Sequence, residues 1–209
     1  MAGNGERGSS GMENKSRFTL EDWNAPVYIG AEELRHALVH MELENKVIHG
    51  FRLLDYSSVK LPEWDQTEEE VMIPVFAALS SPMIVLFTDG TRLEMYMQDQ
   101  SVFRLSVNSI PLEAIREEVT FNTLDRLFAR ALGTSIVFTE VQVTEDFPEV
   151  ARDYADEFKK HKEFIDSVLF CLDSGDALEL YSWGRNGEVD LLDENGEIIM
   201  IGMNEFLDK

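Results

Sequence analysis

From residue 168 onward the chain alternates short apolar or alternating segments with glycine-bearing turns. Val168 to Leu172 is an apolar run turned by Ser174-Gly175; Ala177 to Trp183 alternates and is turned by GRNG; Glu188 to Leu192 is turned by DENG, and Glu197 to Ile201 closes the series. Asn and Gly both tolerate the positive φ of a type I′ turn, so Asn186-Gly187 and Asn195-Gly196 predict hairpins. Together these segments predict a four-strand antiparallel meander.

The same writing occurs earlier in the chain. Met83 to Thr88 is an apolar run, Asp89-Gly90 turns it, Arg92 to Met97 alternates, QDQ turns, and Ser101 to Val107 alternates again. Aligned on Gly90 and Gly175, the two copies share Leu93/Leu178, Glu94/Glu179 and Tyr96/Tyr181. A fainter echo runs through Gly50, Leu53 and Tyr56, with Arg52 matching Arg92. So few matches raise an internal duplication without requiring it.

Helical spacing appears between these strand runs. Leu34, Ala37, Leu38 and Met41 recur at i, i+3, i+4 and i+7, which predicts a helix over 30–45 with Glu32 and Glu33 in its first turn. A second helix is expected from an Asn122 or Thr123 cap through LDRLFARAL to a stop at Gly133. A third follows Asp146, with Pro148 in the first turn and Val150, Tyr154 and Phe158 spaced by four. Between the last two, Ser135 to Val143 reads as a strand with Val137, Thr139, Val141 and Val143 on one face.

Runs of hairpin-linked strands with helices between them predict an α+β fold: two antiparallel β-meander units with about three to four helices packed on one face. Three segments are expected. Residues 1–16, which begin MAGNGERGSSG, read as a disordered leader or expression scar. Residues 17–120 form an N-terminal unit with the first meander, and residues 121–209 a C-terminal unit with the four-strand meander.

Composition changes this picture in one respect. The 209 residues carry 18 basic and 40 acidic side chains, a net charge of -22. Residues 139–209 hold 19 of the acidic residues against 6 basic ones. A field of this sign repels nucleic acid, nucleotides and anionic membrane and steers basic partners inward. The same acidity also serves plain solubility. No signal-peptide pattern and no apolar run of membrane-spanning length is present, so a cytoplasmic protein is expected.

Candidate chemistry is sparse. The single cysteine, Cys171, sits in an apolar run and reads as a small buried hydrophobe. His36 and His40 lie one turn apart with Glu33 before them, a spacing that suits a metal pair. Their helix face is offset from the apolar stripe, however, and the Glu that a zinc protease needs after the first His is Ala37, so no metal is expected. Glu68, Glu69 and Glu70 read as an acidic turn ahead of VMIPVFAAL, where Pro74 forbids an uninterrupted helix or central strand. Phosphate-binding loops, dinucleotide patterns and a nucleophile elbow are absent from the sequence, and no cofactor is expected.

Strand parity supplies the one constellation of interest. Leu178 and Leu180 share one side of their strand, Glu179, Tyr181 and Trp183 the other; Glu188 and Asp190 oppose Val189 and Leu191. In the first copy Glu94 and Tyr96 point away from Leu93, Met95 and Met97. Carboxylates beside large aromatics make up a docking face for Lys and Arg, while an ordinary solvent face would look similar. The expected function is a non-enzymatic acidic binding protein, inhibitor-, immunity- or antitoxin-like, that blocks a basic partner, for example at that partner's nucleic-acid site. The alternatives are a carboxylate-based enzyme or small-ligand domain, and a structural or regulatory module without an active site.

Overall fold

The glycine turns fold alike at three places. Phe87 N–H donates to the Thr91 carbonyl (2.9 Å) and Gly90 N–H back to Phe87 (3.0 Å); Leu172, Gly175 and Asp176 repeat this at 2.8 and 3.0 Å, and Asp193, Gly196 and Glu197 at 2.9 and 2.9 Å. The glycines have φ of +84°, +93° and +78°. This is the three-residue hairpin loop whose last residue must be left-handed, a conformation that costs any side chain strain. The computed structural model that shows them describes residues 18–54, 72–79, 81–115, 123–146, 155–183 and 186–202.

Twelve strands occur among the described residues: β1 (Val27–Tyr28), β2 (Ile48–Leu53), β3 (Met72–Pro74), β4 (Phe76–Leu79), β5 (Met83–Phe87), β6 (Arg92–Asp99), β7 (Val102–Val107), β8 (Ile136–Thr144), β9 (Phe164–Leu172), β10 (Ala177–Trp183), β11 (Asn186–Leu192) and β12 (Met200–Gly202). They form two five-stranded sheets, β1-β7-β6-β5-β2 and β4-β11-β10-β9-β8, and a two-stranded pair β12-β3. Every pairing is antiparallel. The sheets share a plan: a three-strand meander flanked by one strand on each side.

The two sheets lie face to face, with β6 against β10 and β11. Leu93, Met95 and Met97 from one sheet and Leu178, Leu180, Val189 and Leu191 from the other are buried in one core. The sheets approach closely at Gly187, where an added Cβ would stand 2.6 Å from Met97 Cβ. That requirement corrects one expectation. Asn186-Gly187 is not the turn, because Trp183 pairs with Asn186 and Ser182 with Gly187 inside the ladder.

The fourth strand of the predicted meander is also corrected. After a single bridge between Leu192 and Ile198, the chain leaves β11 and pairs as β12 with β3. The place beside β11 is taken by β4. Val75, between β3 and β4, is the junction: Leu191 N–H donates to the Val75 carbonyl (2.9 Å), Val75 N–H to Ile199 (2.8 Å) and Ile199 N–H to Leu191 (2.9 Å). Thus β3 and β4, from before residue 120, pair with strands from after it.

The predicted fold class is corrected as well. Strands dominate, and only three α-helices occur among the described residues: α1 (Ala31–His40), α2 (Thr123–Leu127) and α3 (Ala155–Phe158). They do not cover one face of a sheet. Helix α1 packs against β8 and β1, and α2 against β2, all edge strands, so their apolar side chains enter the core from its margins. Leu34 and Leu38 are buried there, as are Leu124, Leu127 and Phe128.

Helices α1 and α2 are shorter than their periodicity predicts. Helix α1 stops at His40 because Glu42 and Asn45 turn left-handed, with φ of 50° and 62°. Helix α2 gives way to a 3-10 turn at Ala129–Ala131, and Gly133, at φ +80°, donates its N–H to Ile48 of β2 (2.9 Å). Of the third helix only Ala155–Phe158 is helical among the described residues; Pro148, Val150 and Tyr154 lie outside them, as do residues 1–17 and Glu68 to Glu70. Strand β8 loses its expected parity to two register shifts, which bring Ile136 and Val141 inward and leave Val137 and Val143 exposed. No helix among the described residues is long and apolar enough to cross a membrane.

Candidate functional site

The outer face of the second sheet is laid out by cross-strand register. One row reads Glu140, Leu169, Glu179, Asp190 and Phe76 across β8, β9, β10, β11 and β4; the next reads Gln142, Ser167, Tyr181, Glu188 and Ala78. Glu179, Tyr181, Glu188 and Asp190 are therefore the corners of one quartet. Trp183 lies one step further along β10, opposite Asn186. Sequence parity identified the quartet but could not add Glu140 or Ser167, since only pairing between β8, β9 and β10 aligns them.

The quartet is not the open surface that parity implied. Glu179, Tyr181 and Glu188 are half-buried, and Asp190 is only 2% exposed. The Tyr181 hydroxyl donates to Glu188 Oε2 (3.1 Å). Asp190 Oδ1 is buried without a hydrogen-bond partner. No Lys or Arg among the described residues forms an ion pair with Glu179, Glu188 or Asp190.

These surroundings set the proton affinities. Burial, reinforced by the charges of Glu188 and Glu179 and opposed by a hydrogen bond from Tyr181, pushes the Asp190 carboxyl up to about 7. Burial raises Glu188 too, against the opposing hydrogen bond from Tyr181. The Tyr181 phenol is raised by burial and then by the two carboxylates next to it. Asp190 thus exchanges a proton near neutrality beside two other acids.

The first-copy candidates sit elsewhere. Glu94 is 0% exposed and serves the fold: Ser106 Oγ donates to it at 2.6 Å, the N–H groups of Ser109 and Ile110 at 3.1 Å each, and Trp23 Nε1 donates in turn to Ser106 Oγ at 3.0 Å. Tyr96 is half-buried against the cluster formed by Trp23, Leu54, Ile84 and Ile110, opposite Arg104 on β7. Burial raises its phenol, with the Arg104 charge opposing. Neither residue can share a contact with the quartet's outward side.

Comparison with known protein families, curated proteins and solved structures finds no match. The remaining sequence candidates are quickly placed. His36 Nε2 and His40 Nε2 lie 3.2 Å apart on the exposed side of α1, and among the described residues no group of three or more His, Cys, Asp or Glu is arranged to hold a metal ion. Cys171 lies on the outer face beside Phe138 and Ala177, and burial, with the Glu140 charge, pushes its thiol up, away from a nucleophilic thiolate. What the quartet can do chemically is accept hydrogen bonds from a cationic group and exchange one proton.

Proposed function

We propose that the chain is a non-enzymatic acidic binding protein, inhibitor- or immunity-like, that engages a basic protein through the outer face of the second sheet. The observation that carries this reading is the quartet itself: three carboxylates on adjacent strands, one of them with a buried oxygen lacking any donor, in a chain of net charge -22. Carboxylates held this way repel one another and favour an incoming cation. The long-range field raises the encounter rate, and Tyr181 adds rigid contact area.

The test is capture of partners from the source organism by the parent and by a Glu179→Lys/Glu188→Lys variant, at low and high salt. The reading expects one basic protein that the parent retains at low salt and that the variant loses. A set of captured proteins indifferent to both changes would sink it. A second reading, a carboxylate-based acid–base site, is favoured by one observation, the Asp190 proton held near neutrality beside the Tyr181 hydroxyl. Turnover of a small substrate that Asp190→Asn abolishes would replace the first reading with this one.

A further inference from the structure

Glu94 and Glu179 occupy equivalent places, each four residues beyond the left-handed glycine of its turn and each in the middle strand of its meander. Their rows correspond: Arg52, Ile84, Glu94 and Ser106 in the first sheet, Glu140, Leu169, Glu179 and Asp190 in the second. In the first sheet one carboxylate takes three donors, and Arg92 Nε stands 4.0 Å away. In the second, the one hydroxyl donor, Tyr181, serves Glu188 and also acts on the Asp190 carboxyl, and among the described residues Asp190 Oδ1 has no hydrogen-bond partner. A buried acceptor left unmade is costly, so the second sheet is short of N–H donors by comparison with its twin.

Resting on the docking reading above, we propose that Glu179, Glu188, Asp190 and Tyr181 form a binding site for a guanidinium group, an arginine side chain presented by the basic partner. A guanidinium offers five N–H donors in a planar fork and is weakly hydrated, so it can serve several carboxylates at once where water is scarce. An ammonium is a compact, strongly hydrated charge with three donors, and loses more on entering a half-buried site. Arginine is thus selected over lysine, and among the described residues these carboxylates are not grouped to hold a metal ion.

Among the described residues the charged groups facing Asp190 are all acids. Glu179 and Tyr181 face it from β10 and Glu188 from its own strand; β4 presents Phe76 and Ala78, β9 presents Leu169 and Ser167, and Glu140 of β8 lies beyond β9. A proton on Asp190 relieves their repulsion while the site is empty, and the guanidinium displaces it. Binding therefore tightens as pH rises through the Asp190 titration.

The experiment titrates the isotope-labelled full chain with N-acetylarginine amide and, separately, with N-acetyllysine amide, following the amide shifts of Glu179, Tyr181, Glu188 and Asp190 at low salt. The arginine probe is expected to bind about tenfold tighter than the lysine probe. Its affinity should rise about tenfold from about pH 6 to about pH 8, as Asp190 loses its proton near 7. Asp190→Asn should weaken the arginine probe at least fivefold and remove the pH dependence, with its thermal melt confirming that it folds. Equal affinity for both probes, no shift at these residues, or an Asp190→Asn variant that binds arginine as the parent does would each overturn the site. Equal affinity for both probes, lost on charge reversal of Glu179 and Glu188, would overturn it while leaving the docking reading in place; capture indifferent to that reversal removes the docking reading itself.

Discussion

The outer faces of the two sheets begin from the same local sequence and end in opposite environments. Gly-x-x-Leu-Glu-x-Tyr places a carboxylate and a phenol on the outer side of the middle strand in both. Over the first sheet, Trp23 and Ala25 from before β1 and Ile110 from after β7 form a second small core, and the same crossing brings N–H groups and a serine hydroxyl onto Glu94. Over the second sheet, among the described residues, Leu169, Ala177 and Leu192 form a small cluster with Cys171 packed against it, and the Tyr181 hydroxyl donates to Glu188. A buried carboxylate is part of the fold when donors come with the burial, and is a source of strain and proton affinity when they do not.

The largest effect expected from breaking this contrast is at Glu94. Glu94→Ala leaves the N–H groups of Ser109 and Ile110 and the Ser106 hydroxyl without their acceptor, at a cost of about 3–5 kcal/mol. Chemical denaturation should show the loss, and Glu179→Ala should not reproduce it.

Asp190 should behave in the opposite sense. Its carboxyl binds its proton more tightly folded, at about 7, than unfolded, near the ordinary 3.8, so its contribution is intact below the unfolded value and is lost as pH rises through 7. A shift of that size amounts to about 4 kcal/mol between acid and mildly basic conditions. Asp190→Asn should therefore be more stable than the parent at about pH 8 and close to it at about pH 4. A parent whose stability does not fall over that range would remove the strain from this side of the comparison.

A smaller effect is expected where the sheets touch. Gly187→Ala puts a methyl group 2.6 Å from Met97 Cβ, and separating two strands to admit it costs about 1–3 kcal/mol. Alanine at Gly196 meets no atom within 4 Å, so its cost is the left-handed φ alone, about 1 kcal/mol. A Gly187→Ala protein as stable as the parent would mean the sheets are further apart at this point. For Glu188→Lys the lost hydrogen bond from Tyr181, about 1 kcal/mol, is offset by relief of the repulsion with Asp190, so the net change in stability is expected to be small and the main effect to fall on the association rate with a basic partner and its salt dependence.

Legibility followed the range of the interaction. The turns at Gly90, Gly175 and Gly196 could be read because a left-handed residue between two apolar segments is a local requirement. The quartet's shared side could be read because strand parity is local as well. Asn186-Gly187 misled because the same dipeptide that suits a turn was needed in the ladder, for its missing side chain. The helices were read too long because their periodicity continues after Glu42, Asn45 and the 3-10 turn at Ala129–Ala131 have ended them.

The sequence by itself determined roughly where β5 to β11 run, where the turns at Gly90, Gly175 and Gly196 fall and which side chains of β6, β10 and β11 share a side, since these depend on residues within a few positions of one another; β1, β3 and β4 were not legible in it. Only the tertiary structure decided that β4 rather than 197–201 lies beside β11, that helices sit at sheet margins, and that Glu94 is served by three donors while Asp190 Oδ1 has none. Those outcomes depend on which distant segment crosses a given face. Burial and hydrogen bonding are properties of that crossing, and two identical local patterns carry no information about it.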